Sequence, residues 1–381
     1  MGKVLMINME MIEVANPLSD IERRKFQAEL FKWKEIICDG DLEAAKIFIH
    51  PEKKYINNFA EKDLHFLYYI FLARYYLAVG NKEDFEKTIE YLDTRQPEFN
   101  NMQNHYYFQV IATNALSALG YKKALDAFFK AEEYGLPEWA DISFYYNFGR
   151  CLSDMNYTRK AIECLNKAQE MANCTHDHSF DVYIQTYLAL NYCKSGKGDD
   201  ALEIIKKCCL LEKAKGSTSA YIGFVYTIAG EIYYRLNMYE EALKIFDEAF
   251  EYDRPGSSQY IQCVYYKSLV LIAVGRRDES IVCLEQGLTA LSVEEPTGLV
   301  ELQTALLEGL MHSQSLSDDK SIEYIKTVVN PQLIKYEQYV EAINYYVLIR
   351  DFYGKAGNSK GVLECSRLIE DVYKKGWRSC V

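Results

Sequence analysis

Small and large residues recur at fixed spacing in helix-length pairs about every 40 residues, from Leu64 almost to the C-terminus. A period in that range is the mark of stacked helical repeats, each too small to bury its own apolar face. The clearest copy is 224-FVYTIAGEIYYRLNMYEEALKIFDEAF-250, in which Gly230 and Ala242 stand twelve apart and Ala249 follows seven later. Tyr226, Tyr233, Tyr239 and Phe246 occupy the large positions between them. Small residues let two antiparallel helices approach closely, and the rings fill the grooves beside the contact.

The same twelve-then-seven spacing returns at Ala112, Ala124 and Ala131, at Gly149, Ala161 and Ala168, and at Ala189, Ala201 and Cys208. Weaker copies are Ser268, Ser280 and Gly287, Gly309 with Ser321, Ile349 with Gly361, and Ala73 with Phe85 at the start. This alternation resembles the tetratricopeptide (TPR) repeat, although the register residues 73, 112, 149, 189, 230, 268, 309 and 349 differ by 37 to 41 where TPR units run about 34. The fold expected is therefore all-α: a TPR-like right-handed α-solenoid, preceded by an N-terminal helical bundle.

Composition narrows the function. A formal charge of −12 argues against nucleic acid as the principal ligand, since phosphate binding needs a basic surface. No stretch reaches the roughly 18 uninterrupted apolar residues of a membrane span, and 1-MGKVLMINMEMIEVANPLSD-20 is a poor secretory signal, so the expected compartment is the cytoplasm. The eleven cysteines are scattered at helical positions without a CxxC pair and read as buried thiols. Ligand chemistry is concentrated once, in 174-CTHDHSFD-181, but without a recognised metal spacing, so no metal or cofactor is assigned. Phosphate-cradling, dinucleotide, nucleophile-elbow and zincin motifs are absent, and no catalytic residue is assigned.

The N-terminal segment departs from the repeats. In 19-SDIERRKFQAELFKWKEIICDG-40, Ser19 and Glu22 have the spacing of a capping box, and Phe26, Leu30, Trp33 and Ile37 line one helical face. Gly40 and Asp41 end that helix; a second begins at 42-LEAAKIFIH-50, and Pro51 should interrupt or kink it. A third, 64-LHFLYYIFLARYYLAV-79, is strongly aromatic, and Tyr68, Tyr69, Tyr75 and Tyr76 read as core. Residues 1–80 are thus expected to form a three-helix module, and residues 81–381 the repeat domain.

A tryptophan-bearing first helix, a turn into the YY-containing 61-EKDLHFLYYIFLARYY-76, and then a run of TPR-like units is an order similar to that of the Rap family of bacterial response-regulator aspartate phosphatases and related peptide receptors. The stretches 145-YYNFGRCLSDMNYTRKAIECLNKA-168, 263-CVYYKSLVLIAVGRRDESIVCLEQGL-288 and 339-YVEAINYYVLIRDFYGKAGNSKGVLECSRLIEDVYKKG-376 carry the match along the chain. The resemblance implies a receptor for a short signalling peptide held in the repeat groove. It also implies a protein target, a response regulator or a transcription regulator, met by the N-terminal bundle. In the family a glutamine positions water for aspartyl-phosphate hydrolysis. The corresponding stretch 42–62 contains no glutamine; Lys54 stands near its position, Glu52 precedes it and Asn57 is the nearest amide, so these three are carried as partner-facing residues. Loss of the amide would remove an orienting and electrostatic contribution to hydrolysis, which leaves phosphatase activity an open alternative and the receptor role intact. About 20 residues precede the first amphipathic helix, too few for the DNA-binding helix-turn-helix of related transcription factors, so direct DNA binding is not expected.

An extended peptide has unpaired backbone groups that an amide, both donor and acceptor, can satisfy in pairs. Asn191, in 189-ALNYC-193, resembles the family's Asn-Tyr element, and Asn147 lies one repeat earlier in 145-YYNFG-149. Repeat geometry adds Arg150, Glu231 and Tyr265, with Gln185 as a further candidate. The competing reading is a plain TPR scaffold without a small ligand, and the sequence leaves a homodimer open.

Overall fold

Each register pair becomes a helical hairpin in the computed structural model, which describes residues 18–38, 40–49, 62–135, 141–175, 180–215 and 222–378. The helices are α1 (Asp20–Cys38), α2 (Leu42–Lys46), α3 (Lys62–Ala78), α4 (Lys82–Arg95), α5 (Asn101–Ser117) and α6 (Tyr121–Tyr134). They continue as α7 (Ile142–Asp154), α8 (Thr158–Thr175), α9 (Asp181–Lys194), α10 (Gly198–Lys215), α11 (Ile222–Arg235), α12 (Tyr239–Ala249) and α13 (Ser258–Ala273). The last are α14 (Arg277–Ser292), α15 (Gly298–Ser313), α16 (Asp319–Tyr324), α17 (Asn330–Lys335), α18 (Tyr339–Lys355) and α19 (Ser359–Arg378). No strand occurs among the described residues, and none of their helices is long and apolar enough to cross a membrane.

The small positions do what their spacing requires. Ala112, Ala124, Ala131, Ala161, Ala168, Ala189, Ala201, Ala242 and Ala249 are fully buried, as are Ser268 and Ser280 in the weaker copies. Tight connections between paired helices use left-handed residues, Gly196 between α9 and α10 and Asn237 between α11 and α12. Asparagine tolerates that conformation because its short polar side chain bonds locally.

The Gly309–Ser321 copy is irregular. Its second helix is split into α16, a π-helical turn at Ile325–Val329, and α17, with Pro331 in the first turn of the last. Proline has no N–H for the bond to the preceding turn, and its ring crowds the carbonyl there, so the chain widens locally.

By internal packing the chain forms two compact units, Met1–Asn114 with Asp126–Ser143, and Ala115–Leu125 with Phe144–Val381. In the first unit the predicted capping box is present: Ser19 Oγ accepts from the Glu22 backbone N–H at 3.4 Å, and the Ser19 backbone N–H donates to Glu22 Oε2 at 3.1 Å. Ser19→Ala should cost about 1 kcal/mol or less at this exposed end, read as a shift in the urea midpoint at unchanged slope. Phe26, Leu30, Trp33 and Ile37 are buried as their spacing foretold. Trp33 lies between stacked rings, 5.4 Å from Tyr68 and 6.3 Å from Phe48 by centroid. Tyr68 and Tyr75 are core, whereas Tyr69 and Tyr76 pack partly buried against it. The helix expected over 42–50 is shorter: α2 stops at Lys46 and a 3-10 turn follows over Ile47–Ile49.

A buried polar cluster joins helices of this unit. Lys34 Nζ donates to Asp141 Oδ2 at 2.8 Å, and Ser143 Oγ donates to Asp141 Oδ1 at 2.7 Å. Arg74 bridges Ser143 Oγ at 2.9 Å and Gln109 Oε1 at 3.1 Å, and Gln109 Nε2 reaches Asp141 Oδ1 at 3.3 Å. Burial by itself would raise the Asp141 carboxyl, but the charges of Lys34 and Arg74 outweigh it and hold the group well below the usual carboxylate range.

In the second unit, Leu119 packs against the C-terminal core of Leu302, Ile322, Leu333 and Tyr345. The Lys122 backbone N–H donates to Glu337 Oε2 at 2.7 Å. The beginning and end of this unit therefore meet, which gives its first-of-pair helices a common inner face.

Candidate functional site

Polar groups converge on that inner face from α7, α9, α11, α13 and α18. On α7, Arg150 and Asp154 are one turn apart with Nε to Oδ2 at 3.9 Å. On α11, Arg235 donates from Nε to Glu231 Oε1 at 2.8 Å, and Glu231 also accepts from Gln262 of α13 at 3.5 Å. Lys194 ends α9, and its ammonium donates to the Ser153 carbonyl at 3.0 Å. Glu341, in the first turn of α18, lies in the field of Lys194, Arg235 and Glu231. Tyr265 lies in the field of Glu341 and Glu231, and the Tyr345 hydroxyl near it donates to the Leu306 carbonyl at 3.2 Å.

The electrostatics are those of crowded, partly desolvated charges: Glu231 is buried, whereas Arg150, Asp154 and Arg235 keep part of their side chains in water. Burial pushes the carboxyls of Asp154 and Glu341 up despite the cations near them. Burial likewise pushes Lys194 down although Glu231, Asp154 and Glu341 all oppose that shift. For Arg150 burial alone would lower the guanidinium, but Tyr187, Tyr146 and Asp154 outweigh it and the group stays charged.

The candidates read from the sequence fall in three places. Arg150, Glu231 and Tyr265 share this electrostatic neighbourhood: Asp154 couples to both Arg150 and Glu231, and Glu231 to Tyr265. Asn191 is fully buried; its Nδ2 donates to Ser153 Oγ at 2.9 Å and to the Tyr187 carbonyl at 2.8 Å, while its Oδ1 is buried without a partner. It ties α9 to α7 and so positions the helices that carry Arg150 and Lys194. Asn147 is partly buried on α7. Gln185 donates to Gln169 Oε1 on α8 at 2.6 Å. Glu52, Lys54 and Asn57 lie outside the described residues, as do His176, Asp177 and His178 of the cluster considered for metal.

Asp154, Lys194, Arg235 and Glu341 were not among the candidates. Three of them carry a legible signal: each stands five residues after a register residue, at 149, 189 and 230. Positions one and five after the register are four apart and share a helical face.

The fold is thus all-α, a TPR-like α-solenoid with an N-terminal helical bundle. Within it, the tetratricopeptide repeat family matches residues 142–173 and 225–255. A Rap protein complexed with Competence and Sporulation Factor superposes with a TM-score of 0.75 at 14% identity, covering 93% of this chain and 99% of that one. NprR in complex with its cognate peptide NprX superposes at 0.74 and 16% identity, covering 92% and 99%. The apo form of the quorum sensor NprR from B. thuringiensis gives 0.71 at 17%, covering 93% and 100%. At these identities the likeness is one of fold. No curated protein matches the chain at a significant level of sequence similarity.

Proposed function

We propose that the chain is a Rap-like regulator that binds a short signalling peptide on the inner face of its repeats. The observation that carries this reading is the polar network of Arg150, Asp154, Lys194, Glu231, Arg235 and Glu341, gathered on the inner face of the repeats with the side chains of Arg150, Asp154 and Arg235 still partly open to solvent and able to receive a polar ligand. A scaffold that only displays apolar surfaces has no need of it. Two solved proteins of the same fold were crystallised with a signalling factor or peptide, which supports the class of ligand. In this reading residues 81–381 hold the peptide through Arg150, Glu231 and Tyr265, with Asn147 and Gln185 as further contacts, while the buried Asn191 braces α9 against α7 beneath them. Residues 1–80 meet a response regulator or a transcription regulator in the cytoplasm, through Glu52, Lys54 and Asn57. Peptide binding shifts the population of repeat packings, and the N-terminal module reports it.

The test is thermal denaturation of the full chain with pooled synthetic hexapeptides. A pool containing ligand at about 100 times its Kd should stabilise the native state by about 2.7 kcal/mol. Tyr265→Phe and Arg150→Ala, compared with the parent once their ligand-free melting temperatures are shown to be close to its own, should blunt that response. Melting curves unmoved by every pool would sink the peptide reading and leave a plain TPR scaffold.

A further inference from the structure

On the inner helices the positions one and five after the register form matched pairs, Arg150 with Asp154 on α7 and Glu231 with Arg235 on α11. On α9 the same pair is Leu190 and Lys194. Leucine offers no charge, so Lys194 is left without the carboxylate that its neighbours have: among the described residues no Asp or Glu oxygen lies within 4.0 Å of its ammonium, which donates to the Ser153 carbonyl. An ammonium has three donors, so two remain.

This lysine borders a cavity of about 370 Å3 lined also by Tyr234, Arg235, Asn237 and Tyr239. Tyr239 donates its hydroxyl to Asn237 Oδ1 at 2.8 Å, which leaves the amide NH2 of Asn237 as a further donor. The cavity wall consequently offers a lysine and an arginine cation and an amide donor, and its lining residues include no carboxylate. From this geometry we infer that Lys194 is the seat of a carboxylate on the ligand, a role that rests on the peptide-binding reading. Arg235, already paired to Glu231, supports the site by its field, and the rings of Tyr234 and Tyr239 flank the carbon next to the carboxylate. The depressed basicity of Lys194 agrees, because an incoming anion would relieve the cost of its burial.

Such a carboxylate could be the peptide's C-terminus or an Asp or Glu side chain. Four pools of hexapeptides separate the two: free-acid and C-terminally amidated, each with and without Asp and Glu. Each is titrated by fluorescence polarisation against the full chain, its Lys194→Met variant and its Lys194→Arg variant. Losing one partner of a desolvated ion pair should weaken binding by about 30-fold or more in Lys194→Met, with most of it restored in Lys194→Arg. The pool that keeps affinity names the source of the carboxylate. Methionine fills the lysine's volume without its charge, and a melting temperature close to the parent's verifies the fold; Lys194→Gln serves if methionine lowers it. Equal affinity of parent and Lys194→Met for the binding pool overturns this assignment while the peptide reading stands. Equal binding of the amidated pool without Asp and Glu overturns it as well, and failure of every pool to bind the parent overturns both.

Discussion

Replacing Asp141 with alanine should lower stability by about 3 kcal/mol or more, because it strands two buried cations whose common counter-charge is this carboxylate. Lys34 is buried, Arg74 is enclosed by Gln109 and Ser143, and Ser143 loses its own acceptor in the same step. Asp141→Asn should cost less, since an amide oxygen still accepts hydrogen bonds. Asp141→Ala combined with Lys34→Met should recover part of the loss, leaving Arg74 as the remaining uncompensated charge. The pH dependence has a definite sign. The folded pKa of Asp141 is depressed, so its contribution is present above the unfolded value of about 4 and lost as pH falls through the lower folded one. The gap in urea-derived stability between parent and Asp141→Ala should be full at neutral pH and narrow steadily below about pH 4. A gap that stays constant down to strong acid would mean that the ion pair contributes nothing.

Phe246→Ala should be of similar size, about 3–5 kcal/mol, through the cavity it opens between α11 and α12. The ring is fully buried against Gly230, where an added Cβ would stand inside van der Waals contact with the ring edge. Gly230→Ala alone should therefore destabilise by about 1–3 kcal/mol from overpacking, less the roughly 1 kcal/mol that alanine gains over glycine in a helix. Together the two substitutions should cost clearly less than their sum, since the new methyl occupies part of the space the ring vacates. Strict additivity in chemical denaturation would show that the glycine is not kept for this contact.

Much of the fold was legible because repeat packing is a local rule. The twelve-then-seven spacing names the residues that must be small, and Ala161, Ala168, Ala189, Ala201, Ala242 and Ala249 are all fully buried. The first helix was equally plain, from its Ser19–Glu22 box to the Trp33 face. The break at Ile325–Val329 was not, although Pro331 stood in view, because a proline near a helix start is as often harmless as disruptive. The site was legible in part. Arg150, Glu231 and Tyr265 follow from the facing of a helix, whereas Glu341 depends on where the chain returns.

Residue spacing alone decides that this chain is paired helices with small contacts and aromatic fillers, since each hairpin is specified within about 40 residues. Which charges meet is another matter. Lys194 and Glu341, 147 positions apart, come within each other's field without touching, and the Lys122 backbone finds Glu337 across 215, so those approaches depend on a curvature accumulated over many small rotations between neighbouring repeats. The same accumulation leaves one lysine among paired charges without a carboxylate of its own, and only the folded inner face reveals it.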